Sequence, residues 1–288
     1  MFLISIIFIS FLSSDTLINI NPLLSKKGLK FNANFKGNLI RGLPPELSPV
    51  EIDLIKAKAK DFIPEPATKD DIVVMETNFG IMEFELYPEE APNHSYNFKK
   101  LANSGFYDET IFHRIIPGFM AQGGDILTRD LIKENDGTGN PGWTVNQEFN
   151  NISHIKGILS MARSQDVNSA GGQFFICFDN AQHLNNKYTV FGKLINGYEV
   201  LDKIENLKSE ADYILARSND KLPDNPKDDF LEFDYKNRKR YIKIPRNENK
   251  NKFKDEVYSS LKNIHRTQKP VKIIKVRVRS GNIENISE

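Results

Sequence analysis

Phe112-His113-Arg114-Ile115-Ile116-Pro117-Gly118-Phe119-Met120-Ala121-Gln122-Gly123-Gly124-Asp125 is the stretch on which the reading of this chain turns. It reads as two short strands, 112–116 and 119–122, joined at Pro117-Gly118, because β-branched and aromatic residues flank a pair of turn formers. Within nine residues it brings together one guanidinium (Arg114), one side-chain amide (Gln122) and two large apolar groups (Phe119, Met120). Three later segments have the same character: Gly157-Ile158-Leu159-Ser160-Met161-Ala162, Gln173-Phe174-Phe175-Ile176-Cys177, and the run from His183 through Leu184 and Tyr188 to Gly192. Together they describe an apolar pocket with a cation beside it. Hydrolase chemistry is disfavoured: no G-x-S-x-G elbow occurs, and Cys177 sits mid-strand in apolar surroundings where thiols are inert. The five histidines (94, 113, 154, 183 and 265) have no paired-ligand spacing, so no metal is expected. Gly137-Thr138-Gly139 lacks the Lys-Ser/Thr of a phosphate loop and is a weak phosphate signal.

Working outward, residues 72–77 form a β-branched run, and 81–87 alternate, with Met82, Phe84 and Leu86 on one face and Glu83 and Glu85 on the other. Asn78-Phe79-Gly80 between them is hairpin material. Residues 92–104 predict a helix with Phe98, Leu101 and Ala102 inward and Gly105 as its stop. Short runs follow at 157–162, 173–178 and 189–194, and a second helix at 197–206 presents Val200, Leu201 and Ile204. Many short strands with few helices favour a barrel or sandwich over βαβ units.

The flanks differ. Residues 2–12 are apolar except for two serines, and as a helix they would rise about 16 Å, half of a ~30 Å hydrocarbon core. A signal peptide over 1–14 fits that length better than a spanning helix, although no Lys or Arg precedes the run; a short hydrophobic anchor and a buried element of the fold are the other readings. Export, to a periplasm, envelope or secretory route rather than the cytoplasm, is therefore expected. Residues 15–70 read as a linker with one helix at about 49–61, started by Ser48, Pro49 and Glu51. Residues 208–268 are rich in Lys, Asn and Asp, with a hairpin expected from 230–235 and 240–244 and a helix from 252–264. The strand at 270–278 needs a sheet, and the nearest incomplete one is the 71–207 body. Residues 208–268 are accordingly read as an insertion in a single 71–279 domain, with 280–288 as a tail.

The overall charge of +1 conceals an imbalance. Residues 236–279 hold 16 Lys and Arg against 3 Asp and Glu, a net charge of +13, while the remainder holds 23 against 35, a net charge of −12. An anionic surface is a conceivable partner for 236–268. No RNA-binding motif accompanies the basic run, so specific nucleic-acid binding is not expected.

The four pocket segments, in this order, resemble the cyclophilin family of peptidyl-prolyl cis-trans isomerases. The resemblance covers about 71–207 and the strand at 270–278. It implies a mainly β fold, a closed eight-stranded antiparallel barrel capped by two helices, here with an N-terminal extension and a basic insertion before the last strand. It implies isomerase activity on X-Pro bonds in protein segments without a cofactor, and a monomer is expected; the other reading is a non-catalytic module that holds proline-containing segments. By resemblance, Arg114 donates to the prolyl nitrogen, and Phe119 and Gln122 complete the catalytic set. Met120, Ala162, Arg163, Phe175, His183, Leu184 and Tyr188 bind substrate, with Phe119, Met120, Phe175 and Leu184 forming the proline pocket. Three positions depart from the common pattern: Arg163 replaces Asn, His183 replaces Trp and Tyr188 replaces His. The His183 exchange predicts weak binding of the drug cyclosporin.

Overall fold

The computed structural model describes residues 46–130, 132–225 and 227–280. The leader expected at 1–14, the linker up to residue 45 and the tail beyond 280 lie outside the described residues. Helix α1 (Pro49–Asp61) opens on a capping box: the Ser48 hydroxyl accepts from the Glu51 amide, and the Glu51 carboxylate accepts from the Ser48 amide at 2.8 Å. Its two buried residues, Ile52 and Ala59, lie two turns apart and face α2 (Pro92–Ser104).

Strands β1 (Asp71–Thr77) and β2 (Gly80–Leu86) form the expected hairpin. The Thr77 hydroxyl donates to the Gly80 carbonyl, and Gly80 adopts φ +136, which favours glycine. Helix α2 ends at Gly105 with φ +85. Its N-terminus has no cap of its own. Glu148, far along the chain, accepts instead from the amides of Asn93 and His94. Lys99 on α2 reaches back to Asp71 at 2.6 Å and to the Pro66 carbonyl at 3.1 Å, a buried pair joining the helix to β1.

The body continues with β3 (Thr110–Ile111), β4 (Arg114–Ile116), β5 (Met120–Gly123), β6 (Ile158–Met161), β7 (Phe174–Cys177), β8 (Val190–Asn196) and α3 (Tyr198–Glu205). The next elements are α4 (Glu210–Ala216), β9 (Ser218–Asn219), β10 (Phe230–Tyr235), β11 (Arg238–Lys243) and α5 (Lys250–Lys262), and the chain closes on β12 (Lys272–Ser280). The main sheet is antiparallel throughout, in the order β3-β12-β1-β2-β8-β6-β7-β5-β4. The resemblance implied eight strands in a closed barrel; among the described residues this sheet has nine, and no ladder joins β3 to β4. Those two end strands are separated only by Phe112 and His113, so the sheet must curl until its ends meet, held there by the main chain. It is a curled antiparallel sheet, accompanied among the described residues by five helices, of which only α4 was not expected from the sequence.

Within the curl, Phe174 packs edge-on against Phe98, Tyr107 and Phe112 with centroids 5.4, 5.4 and 6.0 Å apart. The buried Tyr107 hydroxyl is satisfied by the Gly172 carbonyl at 2.9 Å.

Residues 208–268 fold around a core of their own, built from Ile214, Leu231, Phe233, Ile242, Ile244, Phe253 and Val257 beneath the sheet β10-β11-β9. Its two ends are zipped together: the Glu210 amide donates to the Arg266 carbonyl at 2.8 Å, and the Gln268 amide donates to the Lys208 carbonyl at 3.0 Å. This folding recasts the charge imbalance. The acidic half of the insertion, 208–235, carries 8 Asp and Glu against 4 Lys and Arg, and it lies antiparallel to the basic half. Glu232 pairs with Lys239 and Asp228 with Lys243, both at 2.6 Å, and Asp220 pairs with Arg240.

Candidate active site

Arg114 stands on β4 directly opposite Gln122 on β5, with Gln122 in turn opposite Phe175 on β7. The tight turn at Pro117-Gly118 sets that register and is held by the Gly118 amide donating to the Glu205 carboxylate at 2.8 Å. Because side chains alternate across a strand, Arg114 and Ile116 share one face while Ile115 enters the core. The guanidinium donates to Gln122 Oε1 at 3.4 Å and lies 4.0 Å from Met120 Sδ.

The Gln122 amide is oriented by a relay. Its Nε2 donates to Gln173 Oε1 at 3.0 Å, and Gln173 Nε2 donates to the carbonyls of Gly137 and Gly139 at 2.9 and 2.8 Å. That order of donors leaves Gln122 Oε1 as the acceptor facing Arg114. No carboxylate among the described residues forms an ion pair with Arg114. Burial lowers the proton affinity of this half-buried guanidinium, and its contacts to Gln122 and Met120 are long.

Beside the cation lies a second apolar cluster, distinct from the main core. Met120, Phe175 and Leu184 are buried in it, and Phe119, Ile116, Ala162 and Tyr188 pack on it half-exposed. The His183 ring sits 5.3 Å from that of Phe119, and the Tyr188 ring meets Phe175 edge-on at 5.8 Å. Arg163 stacks 4.6 Å over Tyr188 and donates to the Lys187 carbonyl through Nε and Nη2. All ten residues singled out in the sequence thus fall in one contiguous group, linked by contact. Next to it opens a cavity of about 370 Å³ whose lining includes Gln122, Ala162, Arg163, Gly139 and Gln173.

Several shaping residues carry no role in the sequence reading. Asp125 accepts from the amides of Leu127, Gly137 and Gly139, which fixes the glycine loop against the cavity. Those amides are therefore occupied, and the weak phosphate signal of Gly137-Thr138-Gly139 is withdrawn. His154 stacks under Phe175 and is bracketed by Asn185 and Ser160, which ties the 183–188 loop to the cluster. His113, behind Arg114, has both ring nitrogens buried without partners; burial and then the Arg266 and Arg114 charges push it down to about 4. Burial pushes the Cys177 thiol up to about 12, in keeping with an inert side chain.

This arrangement can hold an apolar ring and present a fixed donor at its edge; the Ser160–His154 pair beneath it is fully buried, and the Ser160 hydroxyl is committed to the Thr189 carbonyl, so it is not presented as a nucleophile. Residues 72–224 match the family profile described as cyclophilin type peptidyl-prolyl cis-trans isomerase/CLD. Over 161 residues the chain is 40% identical to a probable peptidyl-prolyl cis-trans isomerase of Brucella suis, covering 54% of this chain and 82% of the relative. Over 127 residues it is 46% identical to peptidyl-prolyl cis-trans isomerase B of Bacillus subtilis, covering 43% and 83%. Among solved structures, a cyclophilin type isomerase of Cryptosporidium parvum, crystallised in the presence of the dipeptide Ala-Pro, aligns with a TM-score of 0.50 at 28% identity. That alignment covers 73% of this chain and 99% of the other.

Proposed function

Because the chain belongs to the cyclophilin type peptidyl-prolyl cis-trans isomerase family, we propose that it accelerates rotation about X-Pro bonds in protein segments, with Arg114 as the donor to the prolyl nitrogen. The observation that carries this reading is the Arg114 guanidinium, paired with no carboxylate among the described residues and in contact with Gln122 at the edge of the Met120–Phe175–Leu184 cluster.

Uncatalysed X-Pro rotation crosses a barrier of about 20 kcal/mol and takes roughly 10–100 s. A turnover on the order of 10³ s⁻¹ requires about 7 kcal/mol of barrier lowering. No bond breaks. In the planar amide the nitrogen lone pair is delocalised into the carbonyl, and in the twisted state it is localised on nitrogen. A donor aimed at that nitrogen therefore interacts more strongly with the transition state than with either ground state. Arginine suits the role because it stays charged and presents a rigid planar fork. Phe119, Met120, Phe175 and Leu184 immobilise the proline ring while the peptide on its N-terminal side turns. Gln122 positions Arg114 and the substrate backbone, and Ala162 and Arg163 line the path of the preceding residues. His183 and Tyr188 close the rim.

Arg114→Ala is expected to reduce kcat/KM on a proline peptide by about 10²-fold or more, which is ~2.7 kcal/mol, with the circular dichroism spectrum unchanged. Wild-type kinetics in that variant would overturn the mechanism. Binding of proline peptides without isomerisation by the wild-type protein would point to the non-catalytic module instead. With His183 at the rim where many relatives carry Trp, cyclosporin is expected to inhibit only weakly; full inhibition at low nanomolar drug would contradict that. The physiological role we infer is assistance to the folding of exported proteins, supported by the apolar run at residues 2–12. Mass spectrometry of the mature N-terminus from fractionated cells tests it.

A further inference from the structure

The end of the insertion does not simply return to β12. Segment 263–268 runs alongside β4, the outer strand of the main sheet, and the Ile115 amide donates to the His265 carbonyl at 2.7 Å. Ile115 is the neighbour of Arg114, so the insertion is fastened one residue from the proposed catalytic donor. A second fastening lies on the other side: Arg266 forms an ion pair with Asp136, both little exposed, in the loop that leads to Gly137 and Gly139 at the cavity. The half-buried imidazole of His265 lies within the field of Arg114, which, after burial, is what lowers its affinity for a proton. Among the described residues no carboxylate pairs with Arg114, and Arg163 spends its donors on the carbonyls of Lys187, Ser164 and Gln165. Asp136, the acid of that loop, is already committed to Arg266 of the strap. Among the described residues, the groove beside Arg114 therefore presents a guanidinium and an imidazole that no carboxylate pairs with, while Asp136 and Glu134 face Arg266.

We propose that His265 is a specificity-determining residue: the 263–268 strap forms an added wall of the groove next to Arg114, and this wall favours proline segments bearing an Asp or Glu side chain adjacent to the proline. The inference rests on the isomerase reading above. A carboxylate entering there meets the Arg114 charge and can accept from the imidazole N–H, gains that a neutral residue lacks and that a lysine would turn into repulsion. The strap is held by its main-chain carbonyl and by Arg266, so changing the His265 side chain removes neither fastening.

The test is a set of four-residue proline peptides that differ only at the positions flanking proline, carrying Glu, Gln or Lys, assayed for kcat/KM with the full chain and with His265→Ala and His265→Glu. The wild-type protein is expected to prefer Glu over Lys by about tenfold at low salt, with the ratio falling as salt is added. His265→Ala is expected to reduce the ratio to about threefold, and His265→Glu to bring it to one or below. Equal rates for all three peptides with the wild-type protein, or an unchanged ratio in both variants, would overturn the proposal while leaving the isomerase reading intact. Failure to isomerise any peptide would instead defeat the isomerase reading, and this inference with it.

Discussion

The curled sheet packs around aromatic rings, with Phe98, Tyr107, Phe112, Phe174 and Phe191 all fully buried. The 208–268 module packs a handful of aliphatic residues and two phenylalanines, Phe233 and Phe253, and spends much of its surface on ion pairs. A core of interlocked rings resists local change, because each ring supports several others. A thin core beneath a charged sheet is the part of a molecule that opens first. The two regions are nevertheless joined where function is concentrated, at β4.

The most severe way to break this contrast is to remove its centre. Phe174→Ala is expected to cost about 3–5 kcal/mol and to lower the denaturant midpoint of the whole chain. Phe253→Ala should act differently: fast amide exchange across 208–268, with protection in β1, β2 and β8 retained. Uniform loss of protection in that variant would mean that the two regions form one cooperative unit.

A smaller effect tests the histidines whose proton affinity burial lowers. His113 ordinarily titrates near 6.5 and is held at about 4 in the folded chain, so the unfolded state binds more protons between those values. Stability should therefore fall as the pH drops from about 6.5 to about 4, and His113→Asn should flatten that slope in urea titrations. His94, His154 and His265 are also lowered, each chiefly by burial, and contribute in the same direction. The least effect is expected at the exposed pairs of the module: Lys239→Ala should leave the melting temperature unchanged within error, since solvent screens such contacts. A clear drop would show that the ion pairs, and not the thin core, hold the module together.

Much of the architecture is legible in the sequence, for identifiable reasons. Strand β2 alternates cleanly, α2 carries a three-and-four apolar spacing with a glycine stop, and the pocket segments keep their residues within a few positions of one another. What escapes depends on distance along the chain. Strand β3 has two residues, too few to show a period, so no strand is read there from the sequence. Arg114 and His265 become neighbours only because residues 208–268 fold back on themselves. The Glu148 cap on α2 is likewise a contact across more than fifty residues, with no local pattern to announce it. The Asp125 contact was within reach: Gly137-Thr138-Gly139 presents amides that need an acceptor, and the aspartate closing the first motif is a candidate. Net charge misled most, because summing along the chain separates residues 228 and 243 that the hairpin places side by side.

The zipped ends of the insertion have a consequence for how the sheet completes itself. Strand β12 must lie between β1 and β3, yet more than sixty residues separate it from α3. As a slack loop, that connection would make β12 slow and entropically costly to recruit. Once the module has formed, Lys208 and Gln268 are bridged by a single hydrogen bond, and the connection behaves like one of only a few residues. Shortening an effective loop tenfold saves about 2 kcal/mol of closure entropy. The longest detour in the chain therefore acts, for the strand that follows it, as a short tether that keeps β12 close to its slot.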